Sequence, residues 1–164
     1  MKQVMFVCKK NSARSQMAEA FAHSLAPDEK FIFVSAGLEK SSVNPLTIKV
    51  MSEVGINLSQ QVSKVIDNFN PENFDVVASM CGCGSMLPEK WLMVEEFQEW
   101  EIPDPDGNSI DVFRQAREQV KHQIECLSKC WHLYPRSPQI GSVVWECQSI
   151  KMKEVRIKLF IQYQ

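Results

Sequence analysis

Apolar positions along the chain change period several times, and each change marks an element. Residues 2–7 (KQVMFV) are short, mostly apolar and β-prone, and they run directly into the polar stretch 8–15; Met17, Phe21 and Leu25 then recur at helical spacing. This predicts strand, loop and helix. Residues 31–35 read as a second strand ending before Ala36-Gly37, and Pro45 opens a helical pattern (Leu46, Val50, Val54) that stops at Gly55. A third strand is predicted over residues 75–80, where Val76-Val77-Ala78 is apolar throughout, as expected of a strand covered on both faces of a parallel sheet. It delivers Cys81 at its carboxyl end. Past Pro88, a weaker strand candidate spans residues 93–100, Pro103 and Pro105 break the chain, and Ile110, Phe113, Val120, Ile124 and Leu127 mark a long amphipathic helix.

Alternating strands and helices predict a doubly wound α/β fold with right-handed crossovers, and such sheets bind ligands at the carboxyl ends of their strands. Cys8, Cys81 and the Asp104 region can all fall on that edge. From about Trp131 the character changes: Pro135, Pro138 and Gly141 precede Val143-Val144-Trp145 and a mixed basic and β-prone tract. The pattern thus separates residues 1–130 from an extension, residues 131–164, to which it assigns no structure.

Composition narrows the class. The 164 residues are 45% hydrophobic and 23% charged with a net charge of −2, which suits one globular domain with a sizeable core. The first residues are apolar for too short a run to be a signal peptide, and no window approaches the roughly 18 apolar residues of a membrane span. A cytoplasmic location without a membrane partner is therefore expected. The slightly acidic balance also argues against nucleic acid as a partner, so any anion site must be local. Six cysteines (Cys8, Cys81, Cys83, Cys126, Cys130 and Cys147) do not have the spacing of a secreted disulfide scaffold, which brings catalytic, redox or metal roles forward.

The run Cys8-Lys9-Lys10-Asn11-Ser12-Ala13-Arg14-Ser15 has the form Cys, five residues, Arg, Ser, placed between a strand and a helix. That is an anion cradle. Backbone N–H groups of a loop entering a helix converge on an oxyanion, and the helix dipole favours negative charge there. Arg14 adds a planar fork of donors, and the positive surroundings favour the thiolate of Cys8. Ser15 is the expected hydroxyl donor and Asn11 the expected brace of the loop. The competing reading is a buried structural cysteine followed by an ordinary capped helix.

Residues 4–20, VMFVCKKNSARSQMAEA, resemble the phosphate-binding loop and first helix of the low-molecular-weight phosphatase superfamily, and especially of its arsenate reductases, through Arg-Ser-Gln-Met-Ala-Glu. The resemblance continues through Ser35-Ala36-Gly37, Asn44-Pro45, Asp75-Val76-Val77, Met80-Cys81-Gly82 and Pro103-Asp104-Pro105-Asp106-Gly107, covering residues 2–130. It implies a three-layer sandwich around a four-stranded parallel sheet. It also implies that Cys8 attacks a bound tetrahedral oxyanion and that Asp104, held between two prolines, protonates the leaving oxygen. Asp106 is the weaker acid candidate, read as a turn former with Gly107.

A phosphatase hydrolyses its covalent intermediate, whereas a reductase needs a further thiol, and Cys81-Gly82-Cys83 supplies two. If the third strand lies beside the first, a Cys8–Cys81 disulfide becomes possible, and Cys83 can resolve it by thiol–disulfide exchange. The close Cys-Gly-Cys resembles the cyanobacterial-type arsenate reductases, which implies glutathione and glutaredoxin as electron donors in preference to thioredoxin, with arsenate as substrate, phosphate or sulfate as competing anions, and no bound cofactor. A monovalent-cation site of some relatives matches Asn11, Glu19 and Ser35, but its remaining acidic position is Lys64 here, so an ammonium group is expected in place of a metal.

Two other readings compete. A low-molecular-weight tyrosine phosphatase shares Cys8, Asn11, Arg14, Ser15 and Asp104, and only the Cys81/Cys83 pair separates it from a reductase. A zinc site from Cys81, Cys83, Cys126 and Cys130 has uncommon spacing, and Cys126 and Cys130, at i and i+4 on a helix, read more simply as packing residues. His23, His122 and His132 are scattered and suggest no Cys–His nucleophile pair. Lys9 and Lys10 flank the anion loop and serve either anion capture or solvation.

Overall fold

The computed structural model describes residues 1–26, 30–80, 82 and 86–131, with the side chains of residues 130 and 131 left aside. Four parallel strands, β1 (Lys2–Cys8), β2 (Phe31–Gly37), β3 (Val76–Ser79) and β4 (Glu96–Glu99), form one sheet in the order β2-β1-β3-β4. Cys8 lies opposite Gly37, Val7 opposite Ser79, and Ser79 opposite Glu99. The register therefore brings the carboxyl ends of all four strands to one edge. From β1 the chain passes to β2 on one side and later to β3 on the other, so Cys8 ends the strand at the topological switch point where open α/β sheets form their crevice.

Three helices, α1 (Arg14–Leu25), α2 (Pro45–Ser52) and α3 (Ile110–Trp131), pack on one face of the sheet. Val4, Phe6, Phe33, Val76 and Ala78 meet Met17 and Phe21 of α1, Val50 and Met51 of α2, and Phe113, Val120, Ile124 and Leu127 of α3 in a single core. The alternate residues of the same strands, Met5, Val7, Ala36 and Val77, point the other way and are covered by Ile66, Phe74, Leu87 and Trp91. Much of this second layer belongs to one-turn 3₁₀ helices, Ile66–Asn68, Pro71–Asn73 and Glu89–Trp91, which have too few turns to leave a helical period in the sequence.

The predicted four-stranded α/β fold is present. Two strands are shorter than expected, with β3 reduced to Val76–Ser79 and β4 to Glu96–Glu99. Helix α2 ends at Ser52, and Gly55, at φ +79, takes the left-handed conformation that stops the helical path. Among the described residues no helix is long and apolar enough to cross a membrane. The extension beyond residue 131, with Cys147, lies outside the described residues.

Candidate functional site

The loop from Cys8 to Arg14 is shaped by where its carbonyls go. Those of Cys8 and Lys9 accept from the backbone N–H groups of Leu38 and Glu39, and that of Ser12 accepts from Asn44 N and Thr47 Oγ1. The Lys10 carbonyl accepts from Ser63 Oγ at 3.0 Å and the Asn11 carbonyl from Gln16 Nε2 at 3.2 Å. The Ala13 carbonyl accepts from Met17 N in the first turn of α1. In a trans peptide the N–H that follows a carbonyl points the opposite way, so turning these carbonyls outward turns a run of N–H groups inward. Helix α1 adds to the cradle: Ala13, its N-cap, provides no side-chain cap, and no acidic residue occupies the first turn. The first N–H groups and the positive end of the helix dipole are left to whatever anion enters.

Asn11 is the expected brace, and its geometry shows how it works. Its φ of +49 is a left-handed conformation that asparagine tolerates better than most residues. Its buried amide oxygen accepts from Lys64 N at 2.7 Å and Gln16 Nε2 at 2.8 Å, while its amide nitrogen donates to Ser15 Oγ and Ser35 Oγ, both at 2.8 Å. Ser35 Oγ donates to Glu19 Oε2, and Lys64 Nζ lies 3.1 Å from that same oxygen. This chain has a direction. The Glu19 carboxylate can only accept, so Ser35 gives it a proton and accepts from Asn11; Ser15 likewise accepts from Asn11 and has its own proton free for Cys8 Sγ, 2.9 Å away. Cys8 and Ser15 are both buried, so that hydrogen bond acts in a medium that strengthens it. The Lys64 ammonium thus stands against Glu19, as the family resemblance implies.

Arg14 is buried and tied to the strand ends: Nη1 donates to the Met80 carbonyl at 2.8 Å and the Ile102 carbonyl at 2.9 Å, and Nη2 lies 2.7 Å from Asp104 Oδ2. Its Nε is buried and has no hydrogen-bond partner among the described residues. An orphaned buried donor is costly unless something comes to use it. The Nε–Nη2 edge is therefore the face offered to an oxyanion, with Asp104 touching one of its two donors. Cys8, Lys10, Ser12, Ala13, Arg14, Asp104 and Asp106 line one small cavity, which brings together most of the residues expected to act there.

Lys9 and Lys10 flank this cavity differently from the loop residues that follow. The Lys9 ammonium is 3.6 Å from Glu39, and Lys10 Nζ is 2.9 Å from Asp106 Oδ2. Asp106 is more than a turn former. Its hydrogen bond from Lys10 holds its carboxyl below the ordinary aspartate value, reinforced by the Lys10 charge and a 3.2 Å hydrogen bond from Asn44 Nδ2. Its backbone N–H in turn donates to Asp104 Oδ1 at 3.2 Å. Asp106 therefore fastens the Asp104 turn to the anion loop as a carboxylate. Thr47 and Ser63, which hold loop carbonyls, leave no signal in the sequence; Asn44, which holds another, enters it only through the Asn44-Pro45 pair of the family resemblance.

Cys81 and Cys83 lie outside the described residues, as does the side chain of Cys130. Cys126, half-buried on α3, has its Sγ 3.8 Å from His122 Nε2. Among the described residues no group of three or more His, Cys, Asp or Glu is placed to hold a metal ion.

The family model of the low molecular weight phosphotyrosine protein phosphatases matches residues 3–132. A glutaredoxin arsenate reductase of a Synechocystis strain is 54% identical over 127 residues, 77% of this chain and 96% of that protein. An arsenate reductase of Staphylococcus aureus is 35% identical over 124 residues, 76% of this chain and 94% of the relative. A solved structure described as an arsenate reductase in the phosphate binding state superposes with a TM-score of 0.72 at 54% identity, covering 77% of this chain and 96% of that one.

Proposed function

The chain belongs to the low molecular weight phosphotyrosine protein phosphatase family, and on that premise we propose that it reduces arsenate to arsenite, with residues 1–130 as the catalytic unit. The observation that carries the reading is an anion cavity shared by Cys8 and by Arg14 with its unpartnered Nε, in a chain 54% identical to a protein named a glutaredoxin arsenate reductase. Tetrahedral arsenate seats its oxygens on the N–H groups of residues 9–15 and on the Nε–Nη2 edge of Arg14. Phosphate and sulfate have the same shape and compete for it.

The Cys8 thiolate, stabilised by the Ser15 hydroxyl, attacks arsenic. An S–As bond forms, an As–O bond breaks, and Asp104 supplies the proton with which the departing hydroxide leaves as water. Asp104 suits this role better than Asp106 by position: its Oδ2 lies 2.7 Å from the Arg14 donor offered to the oxyanion, whereas the Asp106 carboxylate is taken up by Lys10 and Asn44. The Cys81 thiolate then attacks Cys8 Sγ: the S–As electron pair stays on arsenic, which leaves as arsenite, and the two sulfurs become a disulfide. Cys83 takes over that disulfide by exchange, and glutathione with glutaredoxin returns the thiols, ending as oxidised glutathione. The name of the Synechocystis relative supports this donor over thioredoxin. The reaction needs no bound cofactor, and glutathione as donor fits a cytoplasmic setting.

A second reading is favoured by the family match itself: the cradle does not distinguish phosphorus from arsenic, so aryl-phosphate hydrolysis through a Cys8 phosphoenzyme is an expected side reaction. Arsenite formation from arsenate, glutathione and glutaredoxin, measured beside aryl-phosphate hydrolysis in Cys8→Ser, Cys81→Ser and Cys83→Ser, separates the two. Reduction should disappear in Cys8→Ser and Cys81→Ser while hydrolysis survives the Cys81 change; strong hydrolysis with no arsenite from the unaltered chain would transfer the assignment to a phosphatase.

A further inference from the structure

Beside the anion cavity lies a wider groove of about 520 Å³, lined by Lys9, Arg14, Gly82, Met86, Glu101, Ile102, Pro103 and Asp104. Its size falls in the range of small-molecule sites, roughly 300–1,000 Å³, and it shares Arg14 and Asp104 with the cradle. Strand order fixes how its charges are spaced. Lys9 follows the end of β1, Glu101 follows the end of β4, and β3 runs between those two strands. Adjacent strands are about 4.8 Å apart, so Lys9 and Glu101 stand on strand ends roughly 10 Å from each other. Gly82 follows β3 and is the residue between Cys81 and Cys83 in the sequence. Glu101 makes no ion pair among the described residues, and Lys9 is held only by a 3.6 Å contact with exposed Glu39, a kind of pair easily exchanged for another anion.

Resting on the reading that glutathione is the reductant, we infer that this groove is its binding site. Glutathione is a tripeptide-like thiol with a carboxylate at each end, an ammonium at one end and the thiol in the middle. An extended chain of three residues spans at most about 10 Å, the distance between the two charged groups. Glu101 receives the ammonium and Lys9 the carboxylate of the opposite end, while Met86, Ile102 and Pro103 contact the apolar parts. The central thiol then lies past the end of β3, on the side of the groove lined by Gly82. A groove evolved for an aromatic leaving group would instead need a ring wall, and none of the residues lining this one is aromatic.

The test is titration of the full chain with S-methylglutathione, which keeps both charged ends but cannot react, followed by isothermal calorimetry. Arsenite formation from arsenate, glutathione and glutaredoxin is measured on the same preparations. Saturable binding is expected, weakened about three- to tenfold in Glu101→Gln and in Lys9→Gln and largely retained in Glu101→Asp, with the KM for glutathione rising by the same factor in the two neutralised variants. Equal binding by the unaltered chain and both neutralised variants would overturn the assignment. So would arsenite formation at full rate by a chain that does not bind S-methylglutathione, and that result would leave the reductase reading standing. Binding that follows the expected pattern in a chain forming no arsenite would support the groove and remove the reductase reading.

Discussion

Replacing Gly37 by alanine should damage the anion loop by pressing on its backbone. Gly37 ends β2 beside Cys8, and a Cβ built there would stand 2.7 Å from both Asn11 N and the Lys10 carbonyl carbon. Both are backbone atoms of the cradle, so no flexible side-chain tip can swing aside. Ordinary contact begins near 3.4 Å, so the two backbones must part by about 0.7 Å, the difference between 3.4 and 2.7 Å. Asn11 resists that movement because its amide group is held at 2.7–2.8 Å by Lys64 N, Gln16, Ser15 and Ser35. Overpacking of this kind costs about 1–3 kcal/mol of stability, and displacing a reacting group by nearly 1 Å can cost about 100-fold in rate. The assay pairs a thermal melt with kcat/KM for aryl-phosphate hydrolysis and for arsenite formation. Both activities should fall at least tenfold at a temperature where the variant remains folded. Gly55→Ala is the control: its added Cβ meets nothing within 4 Å, but its φ of +79 makes it cost stability alone. A folded Gly37→Ala protein with kcat/KM within twofold of the unaltered chain would refute the reasoning.

Other consequences follow from the same geometry. Ser15→Ala removes the hydroxyl proton directed at Cys8, worth about 1.5–3 kcal/mol for a hydrogen bond to a charged group, so alkylation of Cys8 by iodoacetamide at pH 7 should slow by about tenfold or more; an unchanged rate would mean that Ser15 does not stabilise the thiolate. Arg14→Lys keeps the charge but cannot span the Met80 and Ile102 carbonyls and grip two oxygens, so the inhibition constant for phosphate should rise at least tenfold in a competition assay. Lys64→Met leaves the largely buried Glu19 carboxylate without its counter-charge and should lower stability by about 1–3 kcal/mol in urea unfolding. Glu53, hydrogen-bonded by Arg114 and Arg117, is held at about 2 against an ordinary value near 4.5. Because the folded value is the lower, its contribution is present above about 4.5 and fades as pH falls towards 2. The melting temperatures of Glu53→Gln and the unaltered chain should therefore differ at pH 7 and converge through that window.

What the sequence alone determined was whatever depends on neighbours along the chain. The change from short apolar, β-prone runs to helical spacing located β1, α1, β2, α2 and α3, and the order Cys, five residues, Arg, Ser between a strand and a helix was enough to identify an anion loop, since its N–H groups and the helix end are contiguous. The Lys64–Glu19 pairing was legible only because the resemblance aligned the two residues. What the tertiary structure decided was everything held by distant partners. Lys10 is braced by Ser63, 53 residues away, and Arg14 by the carbonyl of Ile102, 88 residues away. Lys10 and Asp106, read separately as a loop charge and a turn former, meet across 96 residues to fix the acid's turn to the cradle. Such contacts leave no period and no motif, because a carbonyl accepts from any donor that folding brings within 3 Å. Likewise, the groove between Lys9 and Glu101 exists because the sheet runs β2-β1-β3-β4, and strand order is a property of the packed core, not of any stretch of the chain.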